Sequence, residues 1–128
     1  MKIPLFVYGS LMEGEPLHGY LAGLDVRQVR TRGKLFRLPA GYPALVPDGG
    51  DGWAMGELVS LPSMSKFMVL DLVEGVDRGL YSRRKIHVEW QGQNLNAWAY
   101  VMTLKQVEES NGTFIPSGNW RKVPRSTR

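Results

Sequence analysis

The sequence contains no cysteine, and this absence excludes several kinds of structure and chemistry at once. Without a thiol, the 128-residue chain has no disulfide, no thiolate metal ligand and no cysteine nucleophile. A chain without cysteine agrees with the reducing environment of the cytosol. We therefore expect a cytoplasmic protein.

Long apolar runs are also missing. The apolar stretch near the N-terminus is interrupted by Pro4 and Gly9, and Glu13 and Glu15 follow it at once. A membrane-spanning helix needs about 20 consecutive apolar residues, and a secretory signal needs an unbroken apolar segment. We therefore expect neither a membrane span nor a secretory signal.

Excess positive charge is confined to the C-terminal tail. The formal net charge is +4, but residues 121–128 contain four basic residues and no acid, and the rest of the chain has twelve of each sign. Such a tail could bind phosphates, yet a frayed, solvated terminus is the more ordinary interpretation. We expect one domain over residues 1–120, a basic tail over 121–128 and no nucleic-acid partner.

The pattern of apolar residues predicts mostly strands. Apolar runs bounded by turn residues predict strands over residues 3–8, 26–38, 44–46 and 53–61. Alternating side chains predict a half-exposed strand over residues 81–90, and residues 95–104 are expected to return as its hairpin partner. Gly33 predicts a bulge or bend within the strand over residues 26–38. Residues 48–52 are almost all Asp and Gly, which indicates an exposed loop, and Pro16 opens a short helical piece that ends near Gly23.

One segment is convincingly helical. Ser63 is a good N-cap residue and Gly75 a favoured residue just past a helix end. Between them, apolar residues recur at helical spacing at Met64, Phe67, Met68 and Leu72. We assign Met64 and Met68 to the apolar face of this helix. Few helices and many short strands predict an α+β domain with a curved or barrel-like sheet.

Glu74 is the most informative candidate for chemistry, because it falls in the last turn of this helix. Unpaired carbonyl groups at a helix C-terminus carry partial negative charge, which disfavours a carboxylate there. Either the side chain turns into water, or its pKa is raised for work as a general acid and base near neutral pH. Asp71, three residues earlier, could raise that pKa further or could instead hold a backbone group.

The first strand ends in the sequence Tyr8-Gly9-Ser10-Leu11, which is the second candidate. Gly9 permits a positive φ angle and a close approach of a ligand to the backbone, where successive N–H groups can bind a carboxylate or an oxyanion. By itself, such a sequence is more often an ordinary turn.

Several other polar and aromatic residues have simpler interpretations. We expect His18 and His87 at the surface, and the four tryptophans in the core or at the rim of a barrel. Arg83 and Arg84 are adjacent in a strand and point to opposite faces, so at most one of them could reach an anionic substrate.

Short motifs are spread over most of the chain. They are FVYGSL at residues 6–11, GKLFRL at 33–38, GYPAL at 41–45, MGELV at 55–59, LDLVEG at 70–75, YSRR at 81–84, AWAYV at 97–101 and SGNW at 117–120. Taken together, in this order and spacing, they resemble the γ-glutamyl cyclotransferase-like superfamily, which includes γ-glutamylamine cyclotransferases and the plant avirulence-induced proteins.

The resemblance implies a fold and a site. The fold would be a small mixed β-barrel with flanking short helices. Tyr8, Gly9, Ser10 and Leu11 would bind the γ-glutamyl or 5-oxoproline group, Glu74 would be the catalytic acid and base, and Tyr81 would line the pocket. Ser10 replaces the threonine found in many members, and both residues offer a hydroxyl.

The implied reaction converts a γ-glutamyl amine, amino acid or peptide to 5-oxoproline and a free amine. It requires neither a metal nor a cofactor, and the expected partner is this small-molecule substrate. Two alternatives remain: a module that binds a γ-glutamyl-like ligand without turnover, and an interaction protein that acts through the basic tail. The leaving amine and the oligomeric state are left open.

Overall fold

A computed structural model describes residues 2–47, 51–76 and 79–128. The described strands are β1 (Ile3–Val7), β2 (Val26–Arg37), β3 (Pro43–Pro47), β4 (Trp53–Leu61), β5 (Ser82–Trp90), β6 (Gln93–Val101) and β7 (Thr113–Phe114). The α-helices are α1 (Met64–Val73) and α2 (Leu104–Glu109), and short 3₁₀ helices cover His18–Leu21, Trp120–Lys122 and Arg125–Thr127. Residues 48–50 of the predicted loop over 48–52 lie outside the described residues.

Five of the strands form a closed barrel in the order β2, β4, β1, β6 and β5. Pairing of Arg30 in β2 with Glu89 in β5 closes the ring. β1 and β6 run parallel and the other neighbouring pairs run antiparallel, so the barrel is mixed. The predicted α+β fold with a small mixed β-barrel and flanking short helices is confirmed.

The long strand β2 belongs to two sheets. Residues 26–32 pair with β4, whereas the strand pairs from Gly33 onward with β3, and β7 joins its last two residues. Gly33, where the sequence predicted a bulge or bend, is the point at which the strand changes partners.

The core is one cluster of apolar side chains drawn from all five barrel strands and from α1. In β1, Leu5, Phe6 and Val7 are all buried, which means that both faces of this strand are covered. An unbroken apolar run is the pattern that such burial requires. β1 therefore anchors the loop that follows it at the barrel end.

Helix α1 begins after Ser63 as predicted, although the Ser63 hydroxyl contacts Ser65 rather than a backbone N–H group. The assignment of its apolar face was wrong, because the Met64 and Met68 side chains are 55% and 67% exposed. The inward face carries Phe67, Leu70, Asp71 and Glu74, spaced at i, i+3, i+4 and i+7. Because α1 is apolar almost all round, periodicity alone could not identify this face.

Helix α2 was not predicted, and the strand expected over residues 95–104 ends at Val101. Thr103 and Gln106 form a capping box, in which each side chain bonds to the backbone N–H of the other residue. The sequence spacing of these two residues is a recognisable signal for a helix start. The helical piece expected after Pro16 is a 3₁₀ helix that begins at His18.

The basic tail is not frayed, contrary to the ordinary interpretation of its sequence. Arg121 pairs with Glu57, and both Arg125 and Arg128 pair with Glu15. Buried carboxylates inside the domain thus bind the tail to its surface. Separately, no helix in residues 2–47, 51–76 and 79–128 has the length and apolarity to cross a membrane.

Candidate active site

A cavity of about 320 Å³ lies where the loop after β1 meets the end of α1. Its volume is at the small end of the range for ligand pockets, about 300 to 1,000 Å³. All the site residues predicted from the sequence line it: Tyr8, Gly9, Ser10, Leu11, Glu74 and Tyr81. The fold therefore brings together two segments that are more than 60 residues apart in the chain.

Gly9 is required by packing and not by its backbone angles. The positive φ angle that glycine permits is not used here, because Gly9 is absent from the residues with positive φ. A Cβ atom at this position would overlap the ring of Pro43. Glycine here lets the loop lie directly against Pro43 at the start of β3, which also lines the cavity.

The carbonyl groups of this loop bind the residues that follow it. The Gly9 carbonyl accepts a hydrogen bond of 3.0 Å from the Met12 N–H, and the Ser10 carbonyl accepts one of 2.8 Å from the Leu17 N–H. Among the described residues, the N–H groups of Gly9, Ser10 and Leu11 have no protein acceptor. Three successive backbone donors at the cavity wall can bind an anionic group.

His18 belongs to the support of this loop, which sequence reasoning missed. Its side chain is half-buried, and its Nδ1 lies 2.9 Å from the Leu11 carbonyl oxygen. His87, in contrast, is exposed as predicted.

Glu74 is the C-cap residue of α1, and its N–H donates to the Leu70 carbonyl at 2.8 Å. Gly75 follows with a φ of 69°, as expected for a residue just past a helix end. The Glu74 side chain is half-buried, and burial raises its pKa from 4.5 to about 7. A carboxyl group with this pKa can both accept and return a proton near neutral pH.

Asp71 neither raises the pKa of Glu74 nor holds a backbone group, the two roles that its position in the sequence suggested. It is not among the causes of the raised Glu74 pKa, and it binds side chains instead of a backbone group. Its carboxylate accepts a 2.7 Å hydrogen bond from the Tyr100 hydroxyl and lies 3.6 Å from the Arg83 guanidinium. Arg83 is thereby held beside α1.

The tyrosine hydroxyls at the cavity are bonded to the protein backbone. Tyr8 donates to the Tyr100 carbonyl at 2.5 Å and accepts from the Leu45 N–H, and Tyr81 donates to the Pro43 carbonyl at 2.6 Å. Burial raises the pKa of both Tyr8 and Tyr81 far above the ordinary value. Both hydroxyls therefore stay protonated, and the rings serve as fixed walls.

Other wall residues were not singled out from the sequence. They are Phe6, Val7, Leu17, Tyr42, Pro43, Val73, Leu80 and Tyr100. Because they come from separate elements, no local pattern connects them, and only the resemblance at residues 97–101 pointed near Tyr100. Among the described residues, no three His, Asp or Glu side chains form a group that could hold a metal ion.

A wider concavity of about 650 Å³ lies beside Thr31, Trp53 and His87. Its carboxylate, Glu89, already forms a 2.7 Å ion pair with Arg30. The smaller cavity is the better candidate because it is lined both by Glu74, whose pKa is raised, and by the loop residues whose N–H groups lack a protein acceptor among the described residues.

Three comparisons with known proteins bear on this site. A sequence model of the family described as "Gamma-glutamyl cyclotransferase, AIG2-like" matches residues 5–122. A search of curated proteins finds no match. Among solved structures, YkqA from Bacillus subtilis is 31% identical with a TM-score of 0.74, and the match covers 95% of this chain but only 40% of YkqA.

Two further structures share the fold at lower identity. An AIG2-like protein from Mus musculus is 22% identical with a TM-score of 0.70, covering 99% of this chain and 94% of the mouse chain. A structure described as a γ-glutamyl cyclotransferase is 18% identical with a TM-score of 0.66, covering 87% and 81%. Since the family match spans nearly the whole chain, the protein belongs to the γ-glutamyl cyclotransferase, AIG2-like family.

Proposed function

We propose that this protein is a γ-glutamyl cyclotransferase, which converts a γ-glutamyl compound to 5-oxoproline and a free amine with Glu74 as the general acid and base. One observation carries the proposal: the same cavity is lined by Glu74, whose pKa is about 7, and by the residues Gly9, Ser10 and Leu11, whose N–H groups have no acceptor among the described residues. Family membership supports the reaction class.

In this proposal, the backbone donors of Gly9, Ser10 and Leu11 bind the negative charge of the γ-glutamyl group. Either the α-carboxylate or the oxyanion that develops on the γ-carbonyl oxygen is a suitable acceptor. The rings of Tyr8 and Tyr81 are fixed by their hydroxyl bonds, so they restrict the substrate to a folded conformation. Such preorganisation lowers the barrier of a ring closure.

The chemical step is an intramolecular acyl transfer. The Glu74 carboxylate accepts a proton from the α-ammonium group, and the resulting amine attacks the γ-carbonyl carbon. Glu74 then returns the proton to the leaving nitrogen as the bond between that nitrogen and the γ-carbon breaks, and the ring nitrogen loses its second proton to solvent. The products are 5-oxoproline and the amine, and no covalent bond to the protein forms.

Replacement of Glu74 by glutamine tests this proposal. We expect Glu74→Gln to lower 5-oxoproline release by about 10²- to 10⁴-fold, because general acid and base catalysis contributes about that factor. The assay would use a panel of γ-glutamyl amines, amino acids and peptides, with calorimetric binding of 5-oxoproline as a separate measurement. Glu109→Gln is the matched control, since it removes an exposed carboxylate from the end of the other helix, α2.

The outcomes separate catalysis from binding alone. If Glu74→Gln still binds 5-oxoproline but releases none from the panel, while Glu109→Gln behaves as wild type, the proposed role of Glu74 stands. Release at the wild-type rate by Glu74→Gln would contradict it. Tight binding by the wild-type protein with no product from any substrate would instead indicate a ligand-binding module.

A further inference from the structure

The C-terminal segment 121–128, which we call the strap, forms hydrogen bonds and ion pairs with residues 13–15, which follow the candidate binding residues in the chain. Three of its arginines reach residues 13–15, at a separation of more than 100 residues in the chain. The sequence suggested a solvated tail, so this attachment is a feature that only the tertiary structure reveals. The proposed catalytic mechanism does not use the strap.

Glu57 anchors one end of the strap. Its side chain is 1% exposed and accepts hydrogen bonds from the Glu13 N–H at 2.8 Å, from Gln28 at 2.8 Å and from Arg121 at 2.9 Å. Burial opposes its ionisation, but these hydrogen bonds outweigh burial and lower the pKa of Glu57. Arg121 also donates to the Glu13 carbonyl at 2.6 Å, so Glu13 is held through both its N–H and its carbonyl group.

Glu15 anchors the other end. Its side chain is 4% exposed, and its two carboxylate oxygens bind Arg125 at 3.1 Å and Arg128 at 2.7 Å. Arg128 is itself fixed by donation to the carbonyls of Val123 and Trp120 and by its position 4.7 Å above the Trp120 ring. A buried carboxylate with two guanidinium partners is a costly arrangement unless its geometry is maintained.

Residues 13–15, which the strap binds, are continuous in the chain with the candidate binding residues 8–11. The bonds from Leu17 to Ser10 and from His18 to Leu11 connect the two halves of the loop. The end of the strap also lies beside the segment before β3, where a Cβ atom at Gly41 would lie 3.4 Å from the backbone of Arg128. Gly41 immediately precedes Tyr42 and Pro43, which line the cavity. The strap therefore touches the segments that form two walls of the site.

We propose that the strap is a positioning device, in which Arg121, Arg125 and Arg128 hold the loop over residues 8–17 in its substrate-binding conformation before substrate arrives. This inference rests on the proposed function. The loop has no α-helix or β-strand of its own before the 3₁₀ helix at His18, so without the strap it would populate other conformations. Apparent substrate affinity then falls in proportion to the fraction of molecules whose loop is competent to bind.

Kinetics of strap variants test this inference. We expect Arg125→Gln and Arg128→Gln each to raise KM roughly tenfold while kcat stays within about twofold of wild type, because a substrate that has bound restores the same site. Lys122→Gln is the matched control: it removes the same charge from the same segment, and the exposed Lys122 side chain forms no hydrogen bond or ion pair with the described residues. It should leave both KM and kcat unchanged.

This split between KM and kcat distinguishes positioning from a merely structural role. Loss of folded protein lowers the active fraction and therefore the apparent kcat, but it leaves KM unchanged. In a Glu15→Gln background, the further change Arg125→Gln should add little to KM, because both substitutions break the same ion pair. Arg128→Lys, which keeps the charge, should recover part of the affinity.

The result that overturns the proposal is a KM for Arg125→Gln and Arg128→Gln within about twofold of the Lys122→Gln value, whatever happens to the melting temperature. Wild-type turnover and its loss in Glu74→Gln are measured first. If the wild-type protein releases no 5-oxoproline, the proposed function fails. If it does and the strap variants match the control, only the positioning role fails.

Discussion

Glu74 illustrates how one carboxyl group acquires an unusual pKa from its surroundings. A carboxylate at a helix C-terminus meets the partial negative charge of the unpaired carbonyls, and here it is also half-buried in a cavity wall. Burial raises its pKa to about 7. The place of Glu74 at a helix end indicated that its pKa would be raised. The sequence did not show that the side chain is buried, and burial is the cause that the structure identifies.

The raised pKa predicts a specific dependence of stability on pH. Between pH 4.5 and about 7, the folded protein retains a proton on Glu74 that the unfolded chain has released, so wild-type stability falls as pH rises through this window. Glu74→Gln does not lose stability in this way, because glutamine does not ionise. We expect the variant to be more stable than wild type at pH 8 by more than about 1 kcal/mol, with the difference shrinking towards pH 4.5.

Urea denaturation at a series of pH values measures this difference. The control is Glu109→Gln, whose carboxylate is exposed and whose difference from wild type should not vary with pH in the same way. A wild-type protein that matches or exceeds Glu74→Gln in stability at pH 8 would contradict the burial of an ionised carboxylate at this site.

At the scale of the element, helix α1 determines where Glu74 points. Its inward face combines the apolar Phe67 and Leu70 with the carboxyl groups of Asp71 and Glu74. Asp71 is bound to Tyr100 of β6 and Arg83 of β5, so it attaches the second half of the helix to the barrel. Exposed apolar residues on the opposite face misled the sequence interpretation, because helical periodicity does not say which side meets the sheet.

The bond between Asp71 and Tyr100 should therefore contribute measurably to stability. In a double-mutant cycle with Asp71→Ala and Tyr100→Phe, we expect a coupling energy of about 1 kcal/mol, since a hydrogen bond to a partly solvated carboxylate is lost. Urea denaturation of the four proteins gives this value. Tyr20→Phe is the matched control, because Tyr20 is 39% exposed, and its coupling to Asp71→Ala should be zero within error. Additive effects of Asp71→Ala and Tyr100→Phe would show that the contact does not hold α1.

At the scale of the whole molecule, closure of the barrel joins strands far apart in the chain. β2 and β5 meet at Arg30 and Glu89, and next to them the buried Thr31 hydroxyl donates to the His87 carbonyl at 2.7 Å. The hydrogen bond from the Thr31 side chain thus adds to the backbone pairing of Arg30 with Glu89, which we call the seam of the barrel. This seam lies between strands that no local sequence pattern connects.

Removal of that hydroxyl tests how far the seam supports the fold. We expect Thr31→Val to lower the free energy of unfolding by about 1 to 2 kcal/mol, because the His87 carbonyl loses a buried donor. Thermal or urea denaturation measures this change. Thr113→Val on the exposed strand β7 is the control and should change stability by less than about 0.5 kcal/mol. Equal effects of the two substitutions would show that the seam contributes little.

Much of the fold could be predicted because its signals are local. Alternating residues mark β5, the unbroken apolar run marks β1, and Gly33 marks the point at which β2 changes partners. The candidate site was harder to predict from the sequence than the fold. Glu74 was found from a helix end, whereas the packing of Gly9 against Pro43 could not be predicted, since this contact joins segments distant in the sequence.

By itself, the sequence determined the approximate positions of six of the seven described strands along the chain, the end of α1 and the residues that resemble a known family, because these depend on neighbours within a few positions. Only the tertiary structure decided which face of α1 is buried, that burial raises the Glu74 pKa, and that the basic tail binds Glu15 and Glu57. The physical reason is the same in each case. Burial and ion pairing depend on distances in space, and closure of the barrel sets those distances between segments that are remote in the chain.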